Sequence, residues 1–353
     1  MPDSAELRQN EDVGHLMRGA RNAARACLAV SDRDVATLIA DEASARVAAA
    51  LLAALEEEGA RVHAFVLERH APRPVEQLPP EIRRALGRST VSLYTCHPQE
   101  GEVGHRMELV ELVRPLGLRH AHMISITEDG MLQGMLSDYR QVAALNRIMI
   151  DRVRRARRVE VTTRRGTSVV VALSPAEPFD SSAGVIEPGH WYNLPNGEIL
   201  TCPAAVDGVF VCDGVVPVAE QVDRFDIGRS PLEMTFADGR LTELSGGPGD
   251  LAERVYRTVR GGENLDRVGM FAVGTNFELL MPIGNALQDL FIPGAYFSLG
   301  RSPGSGARPP SWEASAQLTF TARKTSLVLD GAPVINEGRY DPIVLDEAAR
   351  ALF

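Results

Sequence analysis

The sequence predicts an α/β protein with two domains, an N-terminal domain built on a wound, mostly parallel sheet and a mainly antiparallel α+β C-terminal domain. Two observations lead there. Up to about residue 158 short apolar runs alternate with segments of helical periodicity, the pattern of a parallel sheet covered on both faces. Beyond it the rhythm changes to hairpins, with turn signals at Arg165-Gly166, Asn196-Gly197, Asp207-Gly208, Asp213-Gly214, Asp238-Gly239 and Asp330-Gly331. A chain of 353 residues is long enough for two cores, and the expected division is 1–158 and 159–353.

The elements follow in order. The Ala-rich stretch 41–60 carries apolar residues at helical spacing, with Gly59 placed to stop it. "RVHAFVL" (61–67), "TVSLYT" (90–95) and "AHMISI" (121–126) read as buried strands, and "HRMELVELVRPLG" between the last two as a helix. A helix from about 139 to 157 leads out of the first domain. In the second half one helix, roughly 249–260, interrupts the hairpins with Asp250 at its N-cap.

Composition narrows the function classes. With 44% apolar and 24% charged residues the chain reads as an ordinary soluble protein, and no apolar run approaches the roughly 20 residues that span a bilayer. Its polar, acidic start lacks the features of a secretory signal, which predicts a cytoplasmic location. A net charge of −10 argues against nucleic acid as a partner. In the arginine-rich stretch 151–166, Arg152 to Arg158 are read as the cationic close of a helix that then faces solvent. Cys27, Cys96, Cys202 and Cys212 form no CxxC pair and are expected to be reduced, buried thiols.

Three motifs are set aside. Gly300-Arg301-Ser302-Pro303-Gly304 fits G-x-S-x-G but runs into a Gly/Pro loop rather than a helix. "GGPGD" (246–250) lacks the Lys-Ser/Thr of a phosphate loop and reads as a helix start. Cys96-His97 follows a strand end, where sites lie in open α/β sheets, yet has no identifiable orienting partner.

"NLPNGEILTCPAAVDGVFVCDG" (193–214), "GMFAVGTN" (269–276), "IGNALQDLFIPGAYFSLG" (283–300) and "SAQLTFTARKTSLVLDG" (315–331) resemble, in order, the landmarks of the thermophilic metallo-aminopeptidases of the aminopeptidase T type. The dihydroxypyridine ring-cleaving dioxygenases look like a branch of the same superfamily. Carried over by position, the resemblance implies five metal ligands, of which only Glu198 is kept. The others become Met270, Tyr296, Gln317 and Thr319, none of them a usual ligand for a hard divalent ion. Independently of that alignment, the last histidine in the chain is His190. An all-carboxylate site from Glu198, Glu278, Asp289 and Glu313 stays conceivable.

The expected function is therefore a metal-free, cofactor-free pseudo-peptidase that holds a peptide without cutting it. Such a protein would act as a homo-oligomer or beside a peptide-modifying enzyme. The expected contacts are Asn193, Glu198, Gly274, Thr275, Asn276, Tyr296, Gln317 and Thr319. Met270, Phe271, Tyr296 and Phe297 would make the former metal pocket apolar, with core packing the favoured reading for Met270 and Phe297. The alternative is an active enzyme, a divergent aminopeptidase or new chemistry in the same pocket.

Overall fold

The structure, a computed structural model, describes residues 3–10, 12–177, 179–218, 221–303 and 311–352. Its strands are β1 Val35–Ala40, β2 Arg61–Val66, β3 Val91–Tyr94, β4 Arg119–His122, β5 Arg158–Thr162, β6 Ser168–Ala172, β7 Asp180–Ser182, β8 His190–Asn193, β9 Glu198–Thr201 and β10 Ala205–Cys212. They continue as β11 Val215–Val218, β12 Gln221–Asp226, β13 Leu232–Ala237, β14 Arg240–Gly246, β15 Val268–Gly274, β16 Gly294–Gly300, β17 Gln317–Thr321, β18 Ser326–Leu329, β19 Ala332–Asn336 and β20 Arg339–Tyr340. The chain divides into two compact units, one of Met1–Arg140 and Gly184–Asn196, the other of Gln141–Ala183 and Gly197–Phe353.

The first unit is a five-stranded, all-parallel sheet in the order β2-β1-β3-β4-β8. Its helix Ala45–Glu57 follows a short 3-10 turn, Glu42–Ser44, closed by a capping box in which the Asp41 carboxylate accepts the Ser44 N–H at 2.9 Å, and Gly59 beyond the helix end has φ 85°. Val47, Leu51, Leu52 and Leu55 form its buried stripe. The helix Val103–Leu116 matches the sequence reading. "AHMISI" is shorter as a strand than read, ending at His122.

Two strands of this sheet escape the sequence reading. β1 lies between β2 and β3. β8 comes from beyond residue 158, yet pairs parallel with β4 from Arg119↔His190 to His122↔Asn193. The expectation that all strands of the second half pair among themselves is corrected there, and Asn193 belongs to the first unit.

A file of buried imidazoles runs along β3 and β4. The Ser92 hydroxyl lies 2.8 Å from His120 Nδ1, and His120 Nε2 lies 3.2 Å from His122 Nδ1. The His105 Nδ1–H donates to the Val75 carbonyl at 2.6 Å, so its Nε2 accepts from the Tyr94 hydroxyl at 3.0 Å. Burial lowers all three rings, His120 to about 3 and His122 well below the usual range.

Protons therefore prefer the unfolded chain below about pH 6.5, so the stability these rings contribute is present above that pH and lost as pH falls. His70 opposes weakly, since against its burial the hydrogen bonds its ring donates to Asp3 and Glu81 prevail and raise it. Between pH 6 and 4, His120 and His122 are each expected to cost the first unit on the order of 1.4 kcal/mol per pH unit. Trp191 packs edge-on to His122 at 5.8 Å, so its fluorescence in a Trp312→Phe background reports the transition.

The second unit holds an eight-stranded sheet, β14-β13-β10-β6-β5-β18-β19-β20, a five-stranded sheet, β17-β16-β15-β9-β7, and the ribbon β11-β12. Their pairings are antiparallel, as the hairpin signals predict. Arg165-Gly166, Asp238-Gly239 and Asp330-Gly331 join paired strands. Asp207-Gly208 instead lies inside β10. Residues flanking Asn196-Gly197 and Asp213-Gly214 belong to different sheets. The helix Tyr139–Val153 buries Ala144, Leu145, Met149 and Ile150 in the core of this unit, and Arg158 opens β5 rather than closing the helix. The helix Leu251–Arg260 has Asp250 at its N-cap position, but the side chain makes no capping bond.

Candidate functional site

The five-stranded antiparallel sheet sorts its side chains by register. Directly opposed residues share a face. The pairs Phe271↔Phe297, Phe297↔Phe320 and Val273↔Ile199 lie on one side, in the hydrophobic core. The pairs Met270↔Ser298, Ala272↔Tyr296, Gly274↔Glu198, Ser298↔Thr319 and Gly300↔Gln317 lie on the other. All five positions singled out by sequence, Glu198, Met270, Tyr296, Gln317 and Thr319, are thus gathered on one face. Phe271 and Phe297 are not: both lie in the core, as favoured for Phe297, and the pocket place expected of Phe271 is corrected.

At the centre of this face the Tyr296 hydroxyl donates to Glu198 Oε2. Both residues are buried, Glu198 at 9% exposure and Tyr296 at 4%. Burial pushes the Glu198 carboxyl up to about 7, while the tyrosine hydrogen bond pulls it down. Burial beside that carboxylate raises the phenol well above its ordinary range. A carboxyl held near neutrality in a closed polar pair is a recurrent feature of functional sites.

Asn146, which the sequence reading missed, organises the adjacent backbone. Its Nδ2 lies 2.9 Å from the Glu198 carbonyl and 3.0 Å from both the Ser182 carbonyl and the Ser181 hydroxyl. Its Oδ1 accepts the Thr275 hydroxyl. Nothing in "AALNRIM" distinguishes this asparagine from a surface one. Only the fold shows that it is 1% exposed.

Thr275 and Asn276 are fully buried, their N–H groups donating to the Gly197 carbonyl at 2.8 Å and the Phe291 carbonyl at 3.0 Å. Close backbone approach explains the glycines. A Cβ on Gly274 would lie 2.1 Å from the Ile292 carbonyl oxygen, and Gly197, at φ 142°, meets Asn276 the same way at 2.8 Å. Thr319 lies 2.8 Å from the buried Ser298 hydroxyl, another group the sequence reading missed. Gln317 is exposed, with its amide nitrogen 3.8 Å from the Met270 sulfur. Asn193 sits on the edge strand β8 of the first unit, its carbonyl accepting from Asn196 Nδ2 at 3.0 Å.

The donor chemistry of this face does not match a metal centre. Among the described residues no three His, Cys, Asp or Glu side chains come together as a metal site requires. The carboxylates weighed from sequence are dispersed in use. Asp289 accepts the N–H groups of Ile283 and Gly284 at 2.9 Å, Glu313 faces Arg301 at 3.5 Å, and Glu198 is bonded to Tyr296. The Cys96-His97 pair is no better placed for nucleophilic chemistry, since burial raises the Cys96 thiol well above its usual range.

The fold of the chain is similar to that of two solved structures. One, 2,5-dihydroxypyridine dioxygenase from Pseudomonas putida KT2440, superposes with a TM-score of 0.66 at 15% identity, covering 92% of this chain and 97% of that one. The other, wild-type AmpT from Thermus thermophilus, gives 0.65 at 16%, covering 92% and 98%. At these identities the likeness is one of fold. Residues 15–257 match the family described as NicX, 2,5-dihydroxypyridine 5,6-dioxygenase, and the chain belongs to that family. No curated protein sequence matches it. Among the described residues no helix is long and apolar enough to cross a membrane.

Proposed function

We propose that this chain is a metal-independent member of the 2,5-dihydroxypyridine 5,6-dioxygenase family that binds a peptide on the Glu198–Tyr296 face without cleaving it. The observation that carries the reading is the hydrogen bond between those two residues. Both occupy positions that the aminopeptidase resemblance assigns to metal ligands, and here they satisfy one another. Dioxygen chemistry is carried by a redox cofactor, and non-haem iron is held by two histidines and a carboxylate, a set this face lacks. An extended peptide would pair along an edge of the five-stranded sheet and set its terminus against Tyr296, Gln317 and Thr319. A homo-oligomer, or a peptide-modifying enzyme as partner, fits a protein that presents rather than cuts.

Family membership and the carboxyl held near 7 favour a second reading, in which Glu198 serves as a general acid or base in metal-free chemistry. Calorimetry with leucyl-leucine in the presence of EDTA tests the first. Binding should survive the chelator, and Tyr296→Ala should weaken it about tenfold. Binding that disappears with EDTA contradicts the proposal. Turnover of a bound ligand that stops in Glu198→Gln while affinity is retained selects the second reading.

A further inference from the structure

The chain contains a single lysine, Lys324, against 36 arginines. It stands in the turn between β17 and β18 at φ 52°, a left-handed conformation that costs a side-chain-bearing residue strain. That turn forms one wall of a cavity of about 400 Å³ in the second unit, large enough for a small organic ligand. Tyr296 and Thr321 reach the same cavity from the polar sheet face, so it adjoins the candidate site. Its rim carries Leu280 and Met281, 65% and 67% exposed, which with Ile343 are the most exposed large apolar side chains among the described residues.

The charges around this cavity do not cancel locally. Of the two acids lining it, Glu337 is paired with Arg164, and Asp289 is held by two backbone N–H groups and faces Arg323. Lys324 and Arg339 also line it, and neither forms an ion pair among the described residues. Two uncompensated cations beside an apolar rim, in a protein of net charge −10, mark a place for an anion with a hydrophobic body.

We propose that this cavity is a carboxylate subsite, in which Lys324 and Arg339 hold the free carboxylate of the bound ligand while its apolar body rests on Leu280 and Met281. The assignment rests on the peptide-binding reading, and for a peptide the group held is its C-terminus. Recognition of a carboxylate by paired cations is charge-assisted and sensitive to removal of either partner.

The test compares leucyl-leucine as the free acid with its C-terminal amide, and with hexanoate, by calorimetry. In parallel, acylation of Lys324 by an amine-directed reagent is followed by mass spectrometry. The free acid is expected to bind roughly tenfold tighter than the amide and to protect Lys324. Lys324→Met should bring acid and amide within about twofold of each other, and Lys324→Arg should restore most of the preference. Equal affinity of acid and amide, both weakened by Tyr296→Ala, would overturn the carboxylate subsite and leave the peptide reading standing. Hexanoate binding as tightly as the dipeptide acid, with the same dependence on Lys324, would uphold the subsite and overturn the peptide reading. No binding by any of the three overturns both.

Discussion

Glu198→Gln is expected to make the second unit more stable at pH 8 and less stable at pH 5, relative to wild type. The folded carboxyl is raised from 4.5 to about 7, so between those values the folded state binds more protons than the unfolded one. Stability contributed by the protonated form is therefore present at low pH and lost as pH rises through 7. Holding the ionised carboxyl in place at pH 8 costs about 3 kcal/mol, and under about 1 kcal/mol at pH 5. Glutamine keeps an acceptor for the Tyr296 hydroxyl but brings an amide N–H₂ that the site does not satisfy, subtracting about 1–2 kcal/mol at both pH values. The variant should thus gain about 1–2 kcal/mol at pH 8, and its advantage should shift by about 2–3 kcal/mol between the two conditions. Urea unfolding at pH 5 and pH 8 measures this. A variant that loses stability equally at both would mean that Glu198 is not held as a costly buried acid.

Asn146→Ala carries the second large effect, an expected loss of about 3–4 kcal/mol from the second unit. The substitution removes the amide that bonds the Glu198 and Ser182 carbonyls and accepts the Thr275 hydroxyl, all in a place water does not reach. Thr275→Val removes one of those bonds and should cost about 1–2 kcal/mol. Equal, small losses for both would show that Asn146 does not organise the site. Denaturant midpoints at constant m separate this from a change in the unfolded chain.

How much of this was legible depends on whether the signal was local. The helix Ala45–Glu57 announces itself through composition and the glycine beyond its end, and the hairpin at Asp238-Gly239 through its turn residues. Asp207-Gly208 gives the same local signal but lies within β10, because its glycine answers a tertiary demand. A Cβ there would lie 2.2 Å from the Ser168 carbonyl. β8, "HWYN", has no apolar alternation and acquires its strand character from pairing with β4. The candidate site behaves similarly. The motif around Glu198 and the replacements at Met270, Tyr296, Gln317 and Thr319 could be read off the chain. That Glu198 and Tyr296 bond to each other could not, nor that Asn146 holds the Glu198 carbonyl and Ser298 meets Thr319, since these contacts join residues up to 129 positions apart.

The claim of metal independence is tested most directly by the metal content of protein purified without chelator and analysed for iron, zinc, manganese and cobalt. The account predicts substoichiometric amounts of each and unfolding curves unchanged by EDTA. About one equivalent of any of these metals per chain, with stability or ligand binding lost on chelation, would contradict it, because a bound metal linked to the folded state must reveal itself in both.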